Sequence, residues 1–459
     1  MPEDCCVRTD AEPISIDIWL PSYPAVPDYV GGIRALAASF HDAHPGYRIR
    51  VRESSYKTLP ADVDAAARRG AAPALVQYFH TSTQLARDMR DVHGAPLFRP
   101  VATTLADRTT VLGEPVVTDD IVAPARGYYS ADGLLLAAPP LVSTTLLYAN
   151  TTLLAAAGVT ALPTTWAEVT AACKAVSAHT GGPAITWPNH GWIFQQAVAQ
   201  QGGLLADHAN GRDGRAEKVD LAVPEMVAFA QWWRGLYRDG HYHYTGGQAY
   251  GENTGRAWQE NFAAFAEQRV AFVLSSSVEA EWLIQAGRDH GFTVEVGRMP
   301  HNGEVRYAGN IVGGDAIWLT DSVQPAVRDG ALAFLQHLLN PRAVAERHKA
   351  TWFIPVTTTA IDLLAGDGWF DERPHQRVAI EQLLATDGSP AARGAVLGEF
   401  PRIQGLMTHA MEDILLHDAD PSGRFARASE QAQHLLDDYN ADCLGLRAGP
   451  PGPRQFVVD

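Results

Sequence analysis

Residues 14–79 switch between two hydrophobic periods in a fixed order, and this order limits the possible folds. Ile14-Ser15-Ile16-Asp17-Ile18-Trp19 alternates apolar and polar residues, which predicts a half-buried strand. Ile33, Leu36, Ala37 and Phe40 recur on one helical face, and His44-Pro45-Gly46 ends that helix. Tyr47, Ile49 and Val51 then alternate with Arg48, Arg50 and Arg52, a second strand. A second helix is expected from Pro60 to Gly70, and Ala74-Leu75-Val76-Gln77-Tyr78-Phe79 reads as a buried strand. Strand, helix, strand, helix, strand predicts a parallel sheet with right-handed crossovers. Ligands of such sheets bind beyond the carboxyl ends of the strands. His80 and the loop at Tyr56 stand at those ends.

At 459 residues the chain is long enough for about two lobes. Its most apolar run, 133–154, is broken by Pro139-Pro140, Ser143 and Asn150, so no transmembrane helix is expected. Further on, Thr165-Trp166-Ala167-Glu168 fits a helix capping box. Met226, Phe229, Trp233 and Leu236 line a helix begun by Pro224. Val327, Ala331, Phe334 and Leu338 line another, with an end expected at Asn340-Pro341. Two last helices carry Ile403, Met407 and Ile414, then Ala428, Ala432, Leu435 and Tyr439. Residues 1–13 read as a polar lead, and 446–459, with Gly449-Pro450-Pro451-Gly452-Pro453, as a flexible tail.

A formal charge of −16 argues against a nucleic-acid partner, which demands a basic face. Met-Pro-Glu-Asp-Cys-Cys has neither the basic start nor the apolar core of an export signal. The expectation is a mature or trimmed form, or a start placed downstream of the signal. Cys173 falls on an apolar helix face and reads as a buried thiol. Cys5 or Cys6 is a free thiol or, if a signal once stood upstream, a lipid attachment point. The cysteine spacing does not suit a metal.

Enzyme signatures are missing: no Gly-x-Ser-x-Gly elbow, no phosphate-cradling loop, no His-Glu-x-x-His. His241-Tyr242-His243-Tyr244 could ligate a metal, but a solvated loop is the simpler reading. Ser275-Ser276-Ser277 follows an apolar strand and suits hydrogen bonds to a polar ligand better than nucleophilic attack. Trp187 and Trp192 flank the turn-rich Pro188-Asn189-His190-Gly191. They are either a platform for the apolar face of a sugar ring or anchors for the loop.

Four segments, in order, carry a family likeness. Val142-Ser143-Thr144-Thr145-Leu146-Leu147-Tyr148-Ala149-Asn150 resembles a Ser-Thr-Pro-x-Leu-Tyr-Tyr-Asn crossing. Phe265-Ala266-Glu267-Gln268-Arg269-Val270-Ala271-Phe272 resembles the segment Phe-x-x-Gly-x-x-Ala-Met before a Ser-Ser loop. Ile311-Val312-Gly313-Gly314-Asp315-Ala316-Ile317-Trp318 is similar to Ile-Gly-Gly-Ala-x-Leu-Trp, and Thr351-Trp352-Phe353-Ile354-Pro355-Val356-Thr357 to Thr-Gly-Tyr-Leu-Pro-Val-x. Together they resemble the extracellular solute-binding proteins of ABC importers, in particular their glycerol-phosphate-binding and carbohydrate-binding members.

The resemblance implies an α/β, two-lobed periplasmic-binding-protein fold of the maltose-binding type with three inter-lobe crossings. The lobes are expected at 14–140 with 301–352, and 141–300 with 353–445. It places ligand contacts on Tyr56, Ser143, Ser276 and Gly314. It also exposes three departures. His80 stands where a carboxylate accepts glycerol hydroxyls, Phe353 where a tyrosine stands, and Gln404 where an arginine holds phosphate. A neutral amide cannot replace a forked cation. Arg402, near a helix start, is the remaining anchor for an anion.

The implied function is capture of a mono- or oligosaccharide and delivery to a membrane permease. A glycerol-phosphate or glycerophosphodiester ligand is the alternative, and a hydrolase using His80 with a serine is a third. The chain is expected to work as a monomer outside the cytoplasm, without cofactor or metal. His80 is expected to make affinity depend on pH between roughly 5 and 8.

Overall fold

A computed structural model describes residues 12–23, 29–247 and 255–456; Cys5 and Cys6 lie outside them. The amino-terminal strands form as the alternation dictates. Ile14–Ser22 pairs in parallel with Tyr47–Ser55 on one side and Leu75–Phe79 on the other. Helix Tyr29–Ala43 buries Tyr29, Ile33, Ala37 and Phe40 against them, while Leu36 is partly buried. Helix Leu59–Ala67 begins one residue before Pro60, which puts proline in the first turn, where no amide donor is needed.

The parallel arrangement stops at the third strand. Gly313–Thr320 joins the sheet antiparallel to Leu75–Phe79, and Phe98–Arg99 and Ala138–Ser143 pair antiparallel with it in turn. The result is a mixed six-stranded sheet. Gly313–Thr320 arrives from the other lobe and not through a crossover helix, so right-handed crossover logic does not bind it.

The second sheet has the order Ile185–Thr186, Phe272–Ser276, Thr145–Asn150, Val294–Arg298. Ala138–Ser143 belongs to the first sheet and Thr145–Asn150 to the second, so the chain changes lobe at Thr144. Gln382 clamps this point, donating to the Thr144 hydroxyl at 2.9 Å and the Thr145 carbonyl at 2.6 Å. The chain returns between Val294–Arg298 and Gly313–Thr320. Around 351–357 it links helices Pro341–Thr351 and Thr358–Gly366, and the Ile354 amide donates to the Val142 carbonyl at 2.8 Å.

Thr165 and Glu168 form the expected capping box at the start of helix Trp166–Thr180. Helix Pro325–Leu339 ends at Asn340, as expected, but Pro341 also opens helix Pro341–Thr351, capped by the Asn340 side chain. In the second lobe, Trp187 lies at the centre of a ring cluster: Trp232 is stacked at 5.5 Å, Trp233 at 5.0 Å and Tyr242 at 4.6 Å.

Two loop expectations need correction. Tyr242 is buried, and its hydroxyl donates to the Trp187 carbonyl at 2.6 Å, so the His-Tyr-His-Tyr run is a packed segment and not a solvated loop. Residues 446–456 fold back: Arg454 pairs with Asp442 at 3.3 Å, and Phe456 packs against Leu85, Tyr439 and Cys443.

Candidate functional site

The parallel strands end at one edge because their register is even: Ser22 faces Ser55. Tyr23, Tyr56 and His80 follow the three strand ends and are therefore gathered along that edge. The Tyr23 and Tyr56 rings lie 5.7 Å apart. Asp315 pairs with Phe79, so Gly313–Thr320 adds a carboxylate to the same edge.

Asp315 is buried, and its Oδ2 accepts hydrogen bonds from the Tyr23 hydroxyl and the Gln77 amide, both at 2.8 Å. Gln77 in turn accepts from the Tyr29 hydroxyl at 2.7 Å. No cation pairs with this carboxylate among the described residues. Burial raises its pKa to about 6, against the opposing pull of the bonds from Gln77 and Tyr23. Sequence reasoning missed Asp315, although a signal was present. It stands where the resembling strand motif has alanine.

His80 is 1% exposed, and neither ring nitrogen has a hydrogen-bond partner in good geometry. Burial pushes its pKa down to about 3. His190 adds to this, the approaching Gly314 main chain opposes it, and Arg212 pushes the same way as burial. The imidazole is therefore neutral across the physiological range. The expected titration of His80 between pH 5 and 8 is corrected on this ground.

The helix Phe400–Leu416 packs against the turn His80–Ser82 and carries Gln404. Gln404 is 1% exposed, and both its amide atoms are buried without a partner. A methyl at Gly191 would fall 2.3 Å from the Gln404 Cβ, so the start of helix Gly191–Gln200 presses directly on this side chain. His190 caps that helix, its Nδ1 accepting from the Trp192 amide at 3.1 Å. The Trp192 indole nitrogen is again buried and unpartnered.

The crossings meet here. A methyl at Gly313 would lie 2.7 Å from the Ser143 Oγ and 3.1 Å from the Trp192 ring. Gly314 has φ +103°, and a methyl there would lie 2.1 Å from the Leu141 carbonyl oxygen. Only glycine fits this position. The lobes touch here, the helix Phe400–Leu416 packing on the turn His80–Ser82.

The other expected positions scatter. Ser276 pairs with Thr145 beside the first crossing and is half-buried, its Oγ accepting from the Val278 amide at 3.4 Å. Phe353 is buried, and its carbonyl accepts from His348 at 2.8 Å. Trp187 is fully buried in the ring cluster and cannot present a face to a ligand. Arg402 donates to Glu399 at 3.3 Å and to Gln455, which turns its charge toward the carboxyl-terminal residues.

Asp207, His208 and Glu217 are the one group of metal-ligating side chains brought together among the described residues. Asp207 already accepts from the Glu217 and Lys218 amides. No described helix is long and apolar enough to cross a membrane.

This two-sheet arrangement is matched by known proteins. Residues 35–377 match the family described as bacterial extracellular solute-binding protein. The chain belongs to that family. It is a substrate-binding protein of the kind that serves ABC importers. The sn-glycerol-3-phosphate-binding periplasmic protein UgpB of Yersinia enterocolitica is 28% identical over 418 residues, covering 89% of each chain. That of Salmonella typhimurium is 26% identical over 415 residues, covering 88% of this chain and 89% of the relative.

Among solved structures, the cyclic α-maltosyl-1,6-maltose binding protein of Arthrobacter globiformis superposes with a TM-score of 0.73 at 18% identity, covering 93% of this chain and 100% of that one. UgpB of Mycobacterium tuberculosis in complex with glycerophosphocholine gives 0.71 at 21% identity, covering 93% and 99%. Both likenesses establish the maltose-binding type of fold for this member of the family.

Proposed function

We propose that this solute-binding protein captures a neutral, hydroxyl-rich solute, a mono- or oligosaccharide, between its lobes and hands it unchanged to the permease of an ABC importer. It would act outside the cytoplasmic membrane as a monomer, without catalysing a reaction. The observation that carries this reading is the pair His80 and Gln404. Both are buried and uncharged; the Gln404 amide atoms are unpartnered, and the His80 ring nitrogens meet only the approaching Gly314 main chain. Buried polar groups are normally satisfied, so such a set is matched to a ligand that brings donors and acceptors but no charge. The Trp192 indole donor and Ser143 extend the set toward the second lobe. Arg402, held by Glu399, supports the same reading because it is not turned toward these groups.

A glycerophosphodiester or glycerol phosphate is the second reading. Arg212 favours it: this buried guanidinium stacks on Tyr128 beside His80 and donates only to carbonyls, with no carboxylate partner among the described residues. The names of relatives that bind glycerol phosphate or glycerophosphocholine point the same way.

Calorimetric titration with glucose, maltose, sn-glycerol 3-phosphate and glycerophosphocholine separates the two. Heat with a sugar alone supports the first reading; heat with the phosphates alone sinks it. Recovery of intact ligand after prolonged incubation is expected, and a cleaved product would contradict the non-catalytic role.

A further inference from the structure

A second polar contact between the lobes lies apart from the groups assigned to the ligand. Asp88 ends helix Thr83–Asp88, which is rooted on the first sheet through Leu75–Phe79. It is 2% exposed. Its two oxygens take the forked guanidinium of Arg215, one bond being 3.0 Å from Nη1 to Oδ2. Oδ2 also accepts from Gln84 at 2.7 Å and from the Tyr439 hydroxyl at 2.9 Å. Arg215 makes a further bond to Asn440 Oδ1 at 3.1 Å.

Arg215, Tyr439 and Asn440 belong to the other lobe. Tyr439 and Asn440 sit on helix Pro421–Cys443, whose Phe425, Ala428, Ala432 and Leu436 are buried in the second-lobe core. Leu85 adds an apolar contact across the same seam, packing with Tyr439 and Cys443 in a small cluster separate from both main cores.

We propose that Asp88 is a positioning residue, a latch that holds the lobes in the closed register without touching the solute. The geometry supports this in two ways. A carboxylate gripped by a fork and a hydroxyl has one good arrangement, so it fixes register as well as proximity. Asp88 also follows His80 through one continuous turn and short helix, so the latch sets where the His80 ring stands relative to Gln404. A protein that spends more time closed binds its ligand with less loss to the closing step. The latch then raises affinity through the closed population and slows release.

The test needs no ligand. Small-angle scattering is compared for the native full chain, Arg215→Gln and Tyr439→Phe, with circular dichroism and melting temperature on the same samples. The expected result is a larger radius of gyration for Arg215→Gln, a shift in the same direction but smaller for Tyr439→Phe, and unchanged helical signal. A lower melting temperature with native scattering in both variants assigns Asp88 a merely structural role and overturns the proposal. If Arg215→Gln fails to fold, Tyr439→Phe decides alone: native scattering overturns the latch, and an expanded curve supports it.

Discussion

The Tyr23 hydroxyl donates a 2.8 Å hydrogen bond to the Asp315 carboxylate, joining residues 292 positions apart at the edge where the strands end. This bond and the one from Gln77 only partly offset the cost of burying the charge, so the Asp315 pKa stays raised, near 6. The consequence for stability has a definite sign. Between the unfolded value near 4 and the folded value near 6, the native state holds more protons than the unfolded chain. Stability from this group is full below about pH 4 and is lost as pH rises through 6. The loss is on the order of 3 kcal/mol at most. Urea denaturation from pH 4 to 7 on native and Asp315→Asn protein measures it: the native-minus-variant difference should fall over this window and flatten above. A flat difference throughout would mean that the carboxylate is charged and solvated.

Gln404→Leu separates a ligand contact from a structural amide. Both polar atoms of Gln404 are unpartnered, so the free protein should be unchanged or up to about 1 kcal/mol more stable. Affinity for the solute should fall by roughly tenfold or more. Denaturation curves and calorimetry on one preparation supply both numbers. A stability loss of about 2 kcal/mol would show that the amide serves the fold.

The two tryptophans flanking 188–191 should behave in opposite ways. Trp187→Leu should lower stability by about 3 kcal/mol or more, because it removes the centre of a ring cluster. Its effect on affinity should be small. Trp192→Leu should weaken binding more than folding, since its ring stands where Gly313 and Ser143 meet and not at the centre of the ring cluster. Equal losses of affinity in the two variants would contradict this assignment.

Gly314→Ala should be damaging out of proportion to one methyl. The new carbon must clear the Leu141 carbonyl oxygen from 2.1 Å while φ stays positive, which costs at least about 2 kcal/mol. Gly46→Ala is the control, since nothing lies within 4 Å of its added methyl. Melting temperatures of the pair measure the difference.

Much of the fold is written locally. The alternation at 14–19, the proline at the start of helix Leu59–Ala67 and the Thr165–Glu168 capping box each act within a few residues, so a linear reading finds them. The glycine pair is also legible, because the motif around it persists.

The sequence by itself determined the α/β fold of the maltose-binding type and the order of its first strands and helices. Only tertiary structure decided which polar groups are left there. Trp187 and Trp192 have similar surroundings in sequence, yet one is packed among rings and the other faces the crossings. Arg402 and Gln404 are two residues apart, yet one pairs with Glu399 and the other is orphaned against Gly191. Asp315 acquires its raised pKa from burial, and the opposing bonds from Tyr23 and Gln77 also reach it only by folding. Burial and hydrogen-bond partners come from distant segments, and no local periodicity encodes them.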